Sequence, residues 1–210
     1  MVAEMASAAK LVTKDPIPST PVGRLTTRTT PSSIPEVLLI EPRVFRDQRG
    51  SVFESFSAER YAAYGITRPF VQDNVSCSTK GVLRGLHLQN PHCQGKLVSV
   101  LRGRILDIAV DVRVGSPTFG EHVAVELSDE NRCQIWMPRG FAHGLLVLSD
   151  CADVIYKCDE CYSPSDEITV RWDDPAIGIN WGIKDPILSP RDASAETLAD
   201  VRGLPVYGEC

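Results

Sequence analysis

Apolar and polar residues alternate with a period of two through most of the chain after Glu36, the pattern of strands with one buried face. Val37–Ile40 and Ser51–Phe56 read as early strands around the turn Asp47-Gln48-Arg49-Gly50. Further strands are predicted at Val82–Gln89, Leu97–Arg102, Ile105–Arg113, Val123–Leu127, Gln134–Met137, Gly144–Leu148, Val154–Cys158 and Ile168–Trp172. Turn signals such as Arg102-Gly103-Arg104, Gly115-Ser116-Pro117 and Pro138-Arg139-Gly140 separate them. Many short strands at near-regular spacing imply an all-β antiparallel sandwich or barrel. A short helix is expected over Ser57–Gly65, with Ser57 as N-cap and Gly65 at its end, and another over Ala195–Val201. Within Val82–Gln89 a strict period puts Arg84, Leu86 and Leu88 on one face and Leu83, Gly85, His87 and Gln89 on the other.

Residues 1–35 break the pattern. They are rich in Thr, Ser and Pro, and such a segment buries too little apolar surface to offset its ordering entropy. A disordered extension over 1–35 and one domain over 36–210, closed by a helical C-terminal segment, are expected. Glu4, Lys10, Lys14 and Asp15 interrupt any secretory hydrophobic centre, so a cytoplasmic location is expected. No apolar run approaches a membrane span. The net charge of −5 leaves no basic footprint for nucleic acid, although a local Arg/Lys pocket can still hold an anion. The seven cysteines are odd in number and irregular in spacing, which argues against a disulfide framework and for free thiols.

Neither a Gly-rich phosphate loop nor a G-x-S-x-G elbow occurs. The four histidines lack metal-ligand spacing, and Cys158-Asp-Glu-Cys161 has no second ligand pair, so no metal site is expected. Proton transfer fits better. A His titrates near neutral pH and suits a general base, and Lys96, opening the run Lys96-Leu97-Val98, can hold an oxyanion. Tyr156 shares a strand face with Val154 and Cys158 and can supply a proton. His143 lies in what reads as a glycine-framed turn, Arg139-Gly140-Phe141-Ala142-His143-Gly144.

These residues belong to a longer series. Arg49-Gly50 with Phe53-Glu54, Val71-Gln72-Asp73-Asn74, Lys80 through His87, Gln94-Gly95-Lys96-Leu97, Asp107 through Arg113, Pro138 through Gly144, Tyr156-Lys157 and Gly178-Ile179-Asn180-Trp181 follow in order. Over about Pro35 to Asp200 the chain resembles the dTDP-4-dehydrorhamnose 3,5-epimerase family. That resemblance implies a cupin-like jelly roll with a few short helices, a homodimer whose partner completes the substrate site, and no cofactor or metal. It implies dTDP-4-keto-6-deoxy-D-glucose as substrate, with His87 as base, Asp192 as its carboxylate partner, Tyr156 as acid and Lys96 at the enolate oxygen. Arg84 and Arg49 would hold the diphosphate; Gln72, Asp73 and Asn74 would lie around the base and Tyr162 would stack on it. Phe53, Glu54, His143, Glu167 and Arg191 match further substrate positions, Arg191 standing where the family commonly has Lys. The alternatives are a related enzyme that inverts one centre of a dTDP-4-keto-6-deoxysugar, a non-catalytic sugar-nucleotide binder, and a metal-dependent oxygenase.

Overall fold

The predicted alternation is realised as two facing sheets, seen in a computed structural model that describes residues 28–210. One sheet has the order β1 (Arg28–Pro31), β2 (Leu38–Glu41), β10 (Gln134–Met137), β7 (Lys96–Arg102), β12 (Cys151–Cys158) and β5 (Gln72–Thr79). The other has the order β13 (Glu167–Thr169), β6 (Leu83–Gln89), β11 (Phe141–Val147), β8 (Arg104–Asp111) and β9 (His122–Ser128). A separate hairpin joins β3 (Val44–Asp47) to β4 (Gly50–Phe53). Strands β5 to β12 shuttle between the two sheets in jelly-roll order, with antiparallel pairing throughout. Two short helices, α1 (Ala58–Ala62) and α2 (Pro190–Ala193), complete the named elements.

Three apolar clusters explain the layering. Val98, Val100, Val125, Ile135, Met137, Phe141, Leu145 and Val154 fill the space between the sheets. Leu83, Leu86, Leu88, Leu106, Ile108, Val110 and Leu146 lie on the outer face of the five-stranded sheet. Val170, Ile177, Trp181 and Leu198 from the C-terminal segment cover them. On the outer face of the six-stranded sheet, Ile40, Leu97 and Trp136 are covered by Tyr61 of α1 and by Ile66. Burying one such side chain stabilises by about 1.5–3 kcal/mol, so both covered faces are worth more than α1 or the C-terminal turns could form alone. Strand β8 is therefore buried on both faces and reads as a nearly continuous apolar run.

Several expectations change. Arg28–Pro31 pairs with β2 and Ile34 is fully buried, so the stretch 28–35 belongs to the fold; residues 1–27 lie outside the described residues. Ser57 sits at the N-cap of α1 but its side chain makes no capping bond. Ala195–Val201 is not helical: Glu196 bridges to Val170, and the helix lies earlier, at α2, where Pro190 opens the first turn and Ser189 caps it. The run after Ile168 is strand only to Thr169. His143 is not in a turn but in the middle of β11, whose seven residues are all buried. Cys93 and Cys210 are joined by a disulfide across 117 residues, a pairing that spacing does not reveal; Cys77, Cys133, Cys151, Cys158 and Cys161 are free.

The most consequential change is in β6. The ladder to β11 pairs His87 with His143 but Arg84 with Leu145, a one-residue shift centred on Gly85. Leu83 and Leu86 therefore both face the outer cluster, and Arg84 shares the inner face with His87 rather than opposing it. Gly85 has φ +119, and a Cβ there would stand 2.6 Å from both the Cα of Gly144 and the carbonyl oxygen of His143. Only glycine tolerates that conformation and that approach. Gly85→Ala is expected to destabilise the protein by about 2–4 kcal/mol, read as a lower urea midpoint; an unchanged midpoint would show that the shift does not depend on this contact.

Candidate functional site

The inner faces of the two sheets are apolar at one end and polar at the other. Directly opposed residues of an antiparallel pair share a face, so His87 and His143 stand side by side, with Arg84 beyond them. Each histidine is held by a carboxylate. His87 Nε2 lies 2.6 Å from Asp192 Oδ1, and His143 Nε2 lies 2.9 Å from Asp107 Oδ2. Asp192 is presented by α2, whose capping Ser189 Oγ accepts the Asp192 N–H at 3.1 Å. Asp107 is completely buried on β8, the neighbour of β11. With Nε2 donating to the carboxylate, Nδ1 of each ring keeps its lone pair.

The facing sheet supplies the other half. Tyr156 and Cys158 point inward from β12, Lys96 from the start of β7, and Gln72, Asn74, Ser76 and Ser78 from β5. The Tyr156 ring meets the His143 ring edge-on at 6.3 Å. Arg84 reaches across to Ser78 Oγ, donating from Nε and Nη2 at 3.1 and 3.0 Å. Gln72 donates to Asn74 at 2.9 Å, and Asn74 donates to the Cys158 sulfur at 3.8 Å. Strand β5 escapes sequence reading for this reason: its inward positions are amide and hydroxyl side chains, so it carries no apolar alternation.

Burial sets the electrostatics. It pulls the Lys96 ammonium below the usual lysine range, while Cys158, Glu167 and Asp107 act to keep the charge. It pushes the Tyr156 phenol above its ordinary value, with Cys158, Glu167 and Tyr162 adding to the rise and Arg84 opposing it. Burial would raise the Asp192 carboxyl too, but His87, Ser189 and the Gly85 N–H outweigh it, and the net shift is downward. One cleft thus holds a cation that gives up its proton more readily than usual and a phenol that gives up its own less readily.

The rim is tied to the floor. Tyr162 donates its hydroxyl proton to Glu167, and Glu167 also binds Arg191, next to Asp192. Gln72 Oε1 accepts the Tyr162 N–H at 2.8 Å. The chain therefore gathers His87, Asp192, Lys96, Tyr156, Arg84, His143, Gln72, Asn74, Tyr162, Glu167 and Arg191. Four of the expected residues are not gathered. Asp73 points to the outer face, paired with Lys157 at 2.9 Å. Arg49, at the tip of the β3–β4 hairpin, is bound to Asp47; Glu54 is bound to Arg60; and Phe53 packs under Arg132 on the outer side. Asp107 and Cys158 are additions. Both lie in strands whose apolar pattern was read, but an inward carboxylate or thiol becomes visible only once the neighbouring strand, β11 for Asp107 and β5 for Cys158, is known. Among the described residues no group of three or more His, Cys, Asp or Glu stands together to hold a metal ion.

A histidine with a free nitrogen, an oriented carboxylate, a buried ammonium and a buried phenol can move protons at a carbon made acidic by a neighbouring carbonyl. Comparison with known proteins points the same way. The profile described as dTDP-4-dehydrorhamnose 3,5-epimerase matches residues 31–200. The protein of that description from Shigella flexneri is 49% identical over 171 residues, 80% of this chain and 94% of the relative. A Neisseria gonorrhoeae relative of the same description is 49% identical over 169 residues, 80% of this chain but 52% of its own length. The dTDP-6-deoxy-D-glucose-3,5-epimerase of Legionella pneumophila, solved in complex with dTDP-4-keto-L-rhamnose, superposes with a TM-score of 0.85 at 49% identity, covering 87% of this chain and 99% of that one. By profile, sequence and structure alike, this chain belongs to the dTDP-4-dehydrorhamnose 3,5-epimerase family.

Proposed function

We propose that the protein converts dTDP-4-dehydro-6-deoxy-D-glucose to dTDP-4-dehydro-L-rhamnose by inverting carbons 3 and 5. The observation that carries this reading is the His87–Asp192 pair facing Lys96 and Tyr156 across one cleft. In the proposed reaction His87 Nδ1 takes the proton from the carbon beside the 4-keto group. The electron pair of that C–H bond moves into the ring, and the negative charge gathers on the keto oxygen beside Lys96. Tyr156 returns a proton from the other face, and the imidazolium and phenolate then re-equilibrate with water. Asp192 keeps Nε2 protonated and stabilises the imidazolium as it forms. A preorganised cation of this kind typically lowers the barrier by about 3–4 kcal/mol.

Binding of the nucleotide is assigned to Arg84 for the diphosphate and to Gln72, Asn74 and Tyr162 around the base. We further propose that the protein is a homodimer in which Arg49, Phe53 and Glu54 enter the partner's cleft. The support is positional. Val52 and Phe45 of the hairpin and Val75 and Leu101 on the outer face of the six-stranded sheet are exposed large apolar residues. Asp73 faces the same side.

In deuterated water, proton NMR with dTDP-4-dehydro-6-deoxy-D-glucose should show exchange at carbons 3 and 5 and formation of the L-lyxo product. Exchange at one carbon alone would assign the chain to single-centre epimerases, and exchange at neither would overturn the proposal. His87→Ala should lower kcat at least about 100-fold while dTDP binding persists.

Lys96 must be protonated to act, so activity is full below its pKa and lost as pH rises through it. The alkaline limb of kcat/KM is expected below the ordinary lysine value of about 10.4. Lys96→Arg should move that limb upward, and Tyr156→Phe should lower kcat without moving it. A limb that follows Tyr156 would assign the titration to the phenol.

Co-expressed His87→Ala and Arg49→Ala chains, each inactive alone, should regain about a quarter of wild-type activity. Half of the dimers are then mixed, and one of the two sites in each is intact. No recovery would place Arg49 in its own subunit's site or outside any site.

A further inference from the structure

Tyr162 stands half exposed on the loop after β12, and an aromatic that stacks on a base must be held still before the base arrives. Its neighbours in sequence are bound by one residue. Gln89, at the end of β6, is almost fully buried; its Oε1 accepts the Ser163 N–H at 3.2 Å, and its Nε2 donates to the Cys161 carbonyl at 2.9 Å and to the His92 carbonyl. The amide thus grips the residues on both sides of Tyr162. Every donor and acceptor position nearest the loop is used, as burial requires. The same side chain joins the loop to the 90–95 segment, which is also tied to it by Asn90 N–H to Asp166 carbonyl at 3.0 Å and His92 Nδ1 to Asp166 Oδ2 at 2.6 Å.

We infer that Gln89 is a positioning residue that fixes the Tyr162 platform for the base of the nucleotide. It lies two residues beyond His87 on the same strand, so base-binding loop and catalytic histidine are set by one rigid element. No other side chain type offers the same reach with one acceptor and two donors in a plane. Glutamate keeps the shape and the bond to Ser163 but turns an oxygen toward two carbonyls, and leucine removes all three bonds. Gln89 is placed to act on binding rather than on proton transfer, because its contacts are to the backbone on either side of Tyr162 and within the 90–95 segment.

The inference rests on the proposed function, and the test separates the two. Isothermal titration with dTDP is performed first on the wild-type protein; absence of binding there defeats the sugar-nucleotide reading itself. With wild-type binding in hand, Gln89→Leu is expected to weaken dTDP about tenfold. It should raise KM for the sugar nucleotide by a similar factor, with kcat within about threefold of wild type. In a Tyr162→Ala background the same substitution should cause no further loss, because the two residues act as a unit. Unchanged dTDP affinity, or an equal loss in both backgrounds, would overturn the inference. If Gln89→Leu fails to fold, Gln89→Glu is read by the same criteria.

Discussion

The close approach of Gly85 to the backbone at His143 and Gly144 is the constraint on which the site depends. Two strands that met in unbroken register would send Arg84 and His87 to opposite faces. The shift at Gly85 rotates the first half of β6 by one residue. Leu83, Leu86 and Leu88 then all reach the outer apolar cluster, while Arg84 and His87 both look inward. The packing of the outer face and the chemistry of the inner face are thereby set by one local event. Glycine at 144 answers glycine at 85: a Cβ there would come within 2.8 Å of the Leu86 side chain.

The inner space is divided by polarity. Where Val98, Ile135, Met137 and Phe141 meet, the two sheets are sealed. Toward the side of the sandwich formed by β5, β6 and β12, His87, Lys96 and Tyr156, with His143 on β11, replace apolar residues at inward positions. The missing packing energy is offset by hydrogen bonds, since each histidine has its carboxylate. Burial in this half-sealed setting moves Lys96 and Tyr156 in opposite senses from their ordinary values. Two proton-bearing groups that share one cleft are thus set apart by their surroundings.

The outer faces have different partners. The five-stranded sheet is covered by its own chain through Ile177, Trp181 and Leu198, and the same C-terminal segment delivers Asp192 to His87 through α2. A carboxylate more than a hundred residues from its histidine is in this way held by a helix of a single turn and the Ser189 cap. The six-stranded sheet is only partly covered by α1, and the hairpin carrying Arg49 and Phe53 stands apart from the cleft. In the proposed homodimer this outward-facing hairpin is the element offered to the second chain.

Alternation of apolar residues was enough to place most strands and the all-β class, because a half-buried strand must repeat every two residues. Order and identity of motifs, from Arg49-Gly50 to Gly178-Ile179-Asn180-Trp181, were enough for the family and for picking out His87, Lys96, Tyr156 and Asp192 as residues the fold brings to one cleft. Local sequence could not reveal β5, whose inward face is polar, or the shift in β6, which exists only against β11. It misplaced the last helix because Glu196 is recruited by Val170, and it placed His143 in a turn because Gly140 before the strand and Gly144 within it look like turn residues when the strand's neighbours are unknown. Pairings between parts of the chain distant in sequence, His143 with Asp107 on the neighbouring strand and Gln89 with the residues flanking Tyr162, were decided by tertiary structure alone: they depend on which strands and loops are neighbours, and that is a property of the closed jelly roll rather than of any segment within it.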